Sequence, residues 1–137
     1  MSCDGAVVTV GAVNVEVGLR GSASLVVTEA DTALALRSGS VAVLGTPRLV
    51  ALFEEATVAA LDRRIPSGHT TVGMRVQIDH LQPTAVGGSV LADAVLERIE
   101  GRRLTFTVSA SDERGLVAAG KVTRVMVQLD DFLAKSE

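Results

Sequence analysis

A histidine at the end of an alternating segment has the residue type and position for acid–base chemistry. The apolar members of residues 72–78 share one strand face, and the spacing of two places the imidazole of His80 on that face. An imidazole titrates near neutral pH and can act as a general base or acid. A structural histidine, satisfied by one hydrogen bond at a strand end, fits the same pattern, so both interpretations stay open.

Two carboxylates interrupt a helix that is otherwise almost entirely apolar. Between Leu49 and Leu61 the polar residues are Glu54, Glu55 and Thr57. A carboxylate on a mostly buried helix must be paired, be protonated or face a polar cleft, unless it reaches solvent along an edge of the helix. A helix that is apolar on nearly all sides is buried on several of them, which predicts a sheet around it and leaves room for a second copy of the chain.

The start of this helix is a third place where chemistry is feasible. Thr46 suits the N-cap and Pro47 the first helical position, and we expect the helix to end near Arg63 and Arg64, before Pro66. Free N–H groups and the positive end of the helix dipole can polarise a carbonyl and hold an oxyanion. The Thr46 hydroxyl could position water or attack, but it could also be a plain cap.

The remaining segments supply the elements that must position these residues. A helical turn at 33–36 and a loop at 38–40 precede the long helix, and the polar tail from residue 130 is expected to fray. Short turns predict antiparallel neighbours, and the order predicts an α+β fold, a curved antiparallel sheet around one long central helix. The predicted strands span residues 13–19, 25–28, 72–80, 89–99, 104–110 and 117–129.

Composition limits the classes of function. The chain has 137 residues, a net charge of -3, 47% hydrophobic and 21% charged residues, which indicates one folded domain, 1–137, with a polar tail at 130–137. Mild acidity and three Phe without Tyr or Trp argue against nucleic-acid binding. Cys3 allows no internal disulfide, and His69 and His80 are too isolated to predict a metal site. We see no signal peptide or membrane span, so a cytoplasmic protein without a membrane partner is expected.

The segment Leu44–Glu54, LGTPRLVALFE, followed by Gly73 and His80, resembles the fluoroacetyl-CoA thioesterase-like family of hotdog-fold thioesterases. The resemblance extends from about Val26 to Leu129. It implies a hotdog fold that dimerises by joining two sheets, with active sites at the dimer interface. It further implies hydrolysis of an acyl-CoA thioester, with coenzyme A entering as part of the substrate and no other cofactor.

The resemblance also assigns roles to individual residues. The catalytic threonine, glutamate and histidine fall on Thr46, Glu54 and His80. Gly73 falls on a position that lines the acyl pocket, and Arg124 on a basic position of the last strand. Four basic residues could contact the phosphates of CoA, or could simply be solvated side chains at strand ends: Arg102, Arg103, Lys121 and Arg124.

One departure from the family concerns the substrate. The fluoroacetyl-CoA enzyme carries phenylalanine in a lid before its threonine, whereas residues 33–44 contain none. We therefore expect a short- or medium-chain acyl-CoA rather than selectivity for a fluorinated acyl group. A hotdog dehydratase or hydratase and a non-catalytic acyl-CoA-binding dimer are the alternatives.

The spacing of Thr46 and Glu54 raises a geometric question. Eight residues at 1.5 Å per residue put them about 12 Å apart along the helix, too far for a hydrogen bond. Either the two residues flank the substrate, or Glu54 of a second subunit completes the site. We favour the second arrangement, because a two-fold interface would also bury the remaining apolar sector of the helix. Pairing of such dimers into tetramers is left open.

Overall fold

The protein folds as one five-stranded sheet packed on one long helix, with a separate hairpin. The structure is a computed structural model that describes residues 7–10 and 13–137, and side chains from residue 15 onward; Cys3 lies outside the described residues. The elements are β1 (Val7–Val10), β2 (Val13–Glu16), β3 (Arg20–Val26), α1 (Ala33–Leu36), α2 (Thr46–Ala60), β4 (His69–His80), β5 (Ser89–Glu100), β6 (Arg103–Asp112), β7 (Gly115–Gln128) and α3 (Leu129–Ala134).

The sheet has the strand order β3-β5-β6-β7-β4, and every neighbouring pair is antiparallel. It curls around α2, which packs most closely on β3 and β5. This architecture confirms the predicted α+β layout of an antiparallel sheet around one helix. Within the described chain, no helix has both the length and the apolar character needed to span a bilayer. The buried residues of α2 are Leu49, Leu52, Phe53, Ala56, Thr57 and Ala60.

The prediction of a single strand over residues 13–19 was wrong. Strand β2 ends at Glu16, and a turn follows in which Gly18 has a φ of 100°, a value that favours glycine. The chain then enters the main sheet as β3, whose last two residues are the first half of the short strand predicted at 25–28. The apolar alternation continues through the turn, so periodicity alone could not locate the break.

Both ends of the long helix differ from the prediction by a few residues. Gly45 occupies the N-cap, and Thr46 is the first helical residue, so the threonine side chain does not cap the helix. At the other end the helix stops at Ala60, and Arg63 adopts a left-handed conformation with a φ of 61°. The start is the more consequential difference, because it frees the Thr46 hydroxyl for another partner.

Strand β4 contains a bulge that changes which residues face the helix. The register against β7 shifts between Gly73 and Arg75, and the Met74 side chain is 42% exposed. Beyond the bulge, Val76 and Ile78 pack against the core. The prediction that Met74 shares their face was therefore wrong, because the extra residue of a bulge reverses the alternation.

The polar tail forms a short helix rather than a frayed end. The side-chain oxygen of Gln128 accepts a hydrogen bond from the backbone N–H of Asp131 at 2.7 Å and caps α3. Asp130 and Asp131 lie in the first turn, where the helix dipole favours negative charge.

Gly21 marks the closest approach of the sheet to the long helix. A Cβ added there would lie 2.7 Å from the Cα of Ala60 and would also collide with the carbonyl oxygen of Ala56. We therefore expect Gly21→Ala to lower the free energy of unfolding by about 1–3 kcal/mol, as overpacking does, measured by urea denaturation. Ser22→Ala is the matched control on the exposed side of β3, with an expected change within about 0.5 kcal/mol. Equal stability of the two variants would contradict this packing.

Candidate active site

The end of β4 meets the first turn of α2, and this contact joins two of the predicted catalytic residues. Thr46 Oγ1 lies 2.8 Å from Nδ1 of His80, although the residues are 34 positions apart in sequence. In the tautomer with its proton on Nε2, the imidazole accepts a hydrogen bond from the threonine hydroxyl. A hydroxyl held by a base in this way can be activated for attack, or can hold a water molecule for the same base.

The surroundings of His80 favour its neutral, basic form. Burial lowers the pKa of His80 below its usual 6.5, and the nearby backbone of Gln82 offsets part of that effect. The second ring nitrogen, Nε2, is buried and has no hydrogen-bond partner within the described part of the chain. Because a neutral imidazole at Nδ1 can take up a proton, His80 has the properties of a general base at neutral pH.

The start of α2 offers fewer free donors than the sequence suggested. Pro47 has no N–H, and the backbone N–H groups of Arg48 and Leu49 both donate to the carbonyl of Gly45 at 3.1 Å. The N–H of Thr46, in the first turn, has no acceptor within the helix. The helix start therefore presents this single N–H, together with the positive end of the dipole, next to the Thr46 hydroxyl.

An ion pair not anticipated from the sequence fixes this helix start. Arg48 Nε lies 3.3 Å from Oδ1 of Asp31, and the Asp31 carbonyl accepts the N–H of Gly45 at 2.9 Å. The backbone N–H of Thr28 also donates to the Asp31 carboxylate at 2.7 Å, and this bond is the main reason why the pKa of Asp31 is lowered. These contacts tie the segment before α1 to the residue that precedes Thr46.

Glu54 belongs to a second group, which is built on a buried arginine. Arg124 Nη1 lies 3.3 Å from Oε2 of Glu54, while its Nε and Nη2 donate to the hydroxyl and the carbonyl of Thr71 at 2.9 and 3.0 Å. The Arg124 side chain is 8% exposed and that of Glu54 is 37% exposed. Arg124 therefore orients the Glu54 carboxylate, and the substrate contact expected of Arg124 stays a prediction.

The two groups lie at different cavities of the same chain. Thr46 and His80 line a cavity of about 320 Å³ beneath α1 and the loop after it, whose other walls include Ala33, Val41 and Val43. Glu54 and Arg124 line another of about 400 Å³ on the outer side of α2, and the two cavities share no lining residue. In a single chain, then, Thr46 meets His80 but neither meets Glu54.

Gly73 lies directly beneath the Glu54 carboxylate. A Cβ at this position would collide with Oε2 of Glu54, the mobile end of a side chain. We expect Gly73→Ala to displace the carboxylate and lower kcat by up to about 100-fold, the effect of a small misplacement, with little change in melting temperature. Ser22→Ala, on the exposed side of β3 at the opposite edge of the sheet, is the control and should keep wild-type kcat. A Gly73→Ala variant with unchanged kcat would show that the position of this carboxylate does not matter for catalysis. The acyl-pocket role expected of Gly73 remains a prediction.

Comparisons with known proteins agree with this architecture. The fluoroacetyl-CoA thioesterase of Streptantibioticus cattleyicolor is 33% identical over 93 residues, which cover 68% of this chain and 67% of that protein. A solved structure of a fluoroacetyl-CoA thioesterase has a TM-score of 0.83 at 30% identity, covering 89% of this chain and 95% of the other. A hot-dog-like protein from Thermanaerovibrio acidaminovorans has a TM-score of 0.81 at 28% identity, covering 88% and 89%.

The curled five-stranded sheet, the central helix and these neighbours define a hotdog-fold thioester hydrolase. The family model for the fluoroacetyl-CoA-specific thioesterase matches residues 27–130, and the chain belongs to that family. Within the described residues, no group of three or more potential ligands is placed to hold a metal ion.

Proposed function

We propose that this protein hydrolyses short- or medium-chain acyl-CoA to the free acid and CoA, and that it does so as a homodimer. The observation that carries this proposal is the hydrogen bond between Thr46 and His80 at a helix start, in a cavity with apolar walls. The family relationship supports the reaction class, and the substrate after which the relatives are named, fluoroacetyl-CoA, supports a CoA thioester.

In the proposed mechanism His80 moves one proton twice. Nδ1 takes the proton from water held by Thr46, or from the Thr46 hydroxyl itself, as the oxygen attacks the thioester carbon. The N–H of Thr46 and the helix dipole stabilise the oxyanion of the tetrahedral intermediate. When the C–S bond breaks, His80 returns the proton to the departing thiolate; if Thr46 was acylated, water then releases the acid with the same base.

The cavity walls support a short or medium acyl chain. The stretch from Ala33 to Leu44 lines much of the cavity with small or β-branched residues, among them Gly39 and Val41, and contains no phenylalanine. A volume of about 320 Å³ lies at the lower end of the range for small-molecule sites. We therefore expect little preference for fluoroacetyl-CoA over acetyl-CoA.

A dimer would bring Glu54 to the Thr46–His80 pair. Strand β4 is 12 residues long and forms an edge of the sheet, where unpaired backbone groups can bind another strand. Antiparallel pairing of β4 with its copy would place the His80 end of one strand beside the partner's Gly73 end, where Glu54 lies. We propose that the partner subunit's Glu54 orients His80 or activates water. The exposed Val58 of α2, 53% accessible, supports a contact on the same side.

The first test is release of free thiol from acyl-CoAs of increasing length, from acetyl-CoA to palmitoyl-CoA, with fluoroacetyl-CoA included. A chain-length optimum that disappears in His80→Ala is the expected result. Thiol release no higher than that of the variant on every substrate would refute the hydrolase.

Enoyl-CoA and hydroxyacyl-CoA distinguish the dehydratase, because their interconversion releases no thiol. Ligand-induced thermal stabilisation without turnover would identify a binding module. Light scattering on the same sample measures whether the particle contains two copies.

A further inference from the structure

We propose that a polar cavity at the β6–β7 turn binds the pantetheine arm of CoA, and that Arg114 at its outer end binds a phosphate of the nucleotide. The proposal rests on the proposed function, because it assigns a binding site to CoA, the part of the substrate that leaves as the thiol. The cavity measures about 330 Å³, and it is lined by Gln82, Pro83, Asp112, Arg114, Gly115 and Leu116.

This cavity adjoins the one that contains the catalytic pair. Gln82 and Pro83 line both cavities, so the two are separated by no more than these two residues. The N–H groups of Leu81 and Gln82 donate to the carbonyl of Val117 at 2.7 and 3.2 Å, which continues β4 along β7 toward the turn. An extended arm that starts with its sulfur beside His80 would follow this path.

The distance along β6 suits a phosphate at Arg114. His80 lies opposite Ala118, and Asp112 pairs with Gly115 as the last rung of the β6–β7 ladder. On β6, Asp112 is only two residues, or about 7 Å at 3.3 Å per strand residue, beyond Ala110, which pairs with Ala118 at the level of His80, because the extra residue of a bulge lies on β7. Glu113 and Arg114 form the turn just beyond this last rung. The pantetheine arm is long enough to span this distance between the sulfur and the first phosphate.

The other cations that the sequence suggested for this role are placed less well. Arg124 is buried against Glu54, and Lys121 Nζ lies 2.9 Å from a carboxylate oxygen of Glu97. Arg102 and Arg103 lie at the opposite end of β6 from the turn. Arg114 is exposed and lines a cavity that shares Gln82 and Pro83 with the catalytic one.

The carboxylates near Arg114 have partners within the protein. Asp112 accepts the hydroxyl of Thr84 through one oxygen and the backbone N–H of Arg114 through the other, both at 2.8 Å. Glu113 accepts the backbone N–H of Ser89 at 3.4 Å. Remaining lone pairs of Asp112, and the amide of Gln82, can serve the hydroxyl and amide groups of pantetheine. The guanidinium of Arg114 is the group that suits a phosphate.

The test compares Arg114→Gln with wild type on acyl-CoA and on the S-acyl-pantetheine with the same acyl group. We expect KM for acyl-CoA to rise about 2- to 5-fold at low salt, the range for an exposed ion pair, with kcat unchanged and KM for acyl-pantetheine unaffected. The increase should shrink at high salt, because salt screens exposed charges. Arg98→Gln is the matched control, since Arg98 is an exposed arginine that pairs with Glu100 of the same strand, β5, away from this cavity.

Two results would overturn the assignment: an unchanged KM for acyl-CoA in Arg114→Gln, or an equal rise for both substrates. Calorimetric titration with CoA itself gives a readout without turnover, and its Kd should rise by the same factor in the variant. Failure of the hydrolase proposal is a separate result, in which wild type releases no thiol from either substrate.

Discussion

His80→Gln is expected to lower kcat/KM for acyl-CoA by about 10²- to 10⁴-fold, the usual contribution of a positioned general base. Glutamine can still hydrogen-bond Thr46 but cannot take up a proton at neutral pH, so the variant removes the chemistry and keeps the contact. Initial rates of thiol release under kcat/KM conditions measure the effect, and circular dichroism checks that the variant is folded.

The same residue determines the expected acid limb of the pH profile. Burial lowers the pKa of His80 below 6.5, so kcat/KM should fall as pH decreases, with a midpoint below 6.5. Stability follows the same direction. Between the pKa of His80 in the folded protein and its unfolded value of 6.5, the unfolded chain binds more protons than the folded protein. The free energy of unfolding therefore rises with pH through this window, and the contribution of neutral His80 to stability is lost below it.

His69→Gln is the control for both measurements, because His69 is the other histidine and its Nδ1 contacts only the carbonyl of Ser67 among the bonds described for it. It should keep wild-type rates and the same acid limb. A flat wild-type profile from pH 5 to 9, or a His80→Gln variant with nearly full activity, would exclude His80 as the base.

Subunit complementation is expected to restore activity from two inactive proteins. Thr46→Ala removes the hydroxyl from one half of the site, and Glu54→Gln removes the carboxylate from the other. If Glu54 acts across the dimer interface, random exchange gives about half heterodimers, each with one intact site, so the mixture should recover about one quarter of wild-type activity. The chains are mixed after mild denaturation, refolded together and assayed for thiol release.

A double variant that carries both substitutions, refolded with wild type, is the control for that experiment. Every cross-subunit site of a heterodimer then pairs one intact residue with one altered residue, so only the wild-type homodimers, about one quarter of the dimers, should be active. If Glu54 acted within its own subunit, each heterodimer would keep one intact site and about one half of the activity would remain. If the first mixture recovers almost no activity, while both single variants are inactive and dimeric, then Glu54 acts with the Thr46 of its own subunit or takes no part in the site.

Much of the fold could be predicted from the sequence because its signals are local. The helix that begins at Thr46-Pro47 and the strands after it follow from apolar spacing and from glycine and proline positions, and the structure confirms them within a few residues. The misassigned positions are those where one residue changes the periodicity. Gly18 ends a strand without breaking the apolar alternation, and the bulge after Gly73 turns Met74 outward.

The sequence by itself determined the helix, the antiparallel sheet and the types of the reactive side chains, since backbone preference and apolar spacing depend on neighbours within a few residues. It could not determine which polar groups meet, because the ion pair of Glu54 and Arg124 joins residues 70 positions apart and depends on how the sheet curls. Tertiary structure also decided that Thr46 contacts His80 instead of capping its helix, and that Arg124 is buried. Such contacts arise from chain packing, which brings distant residues together and removes them from water.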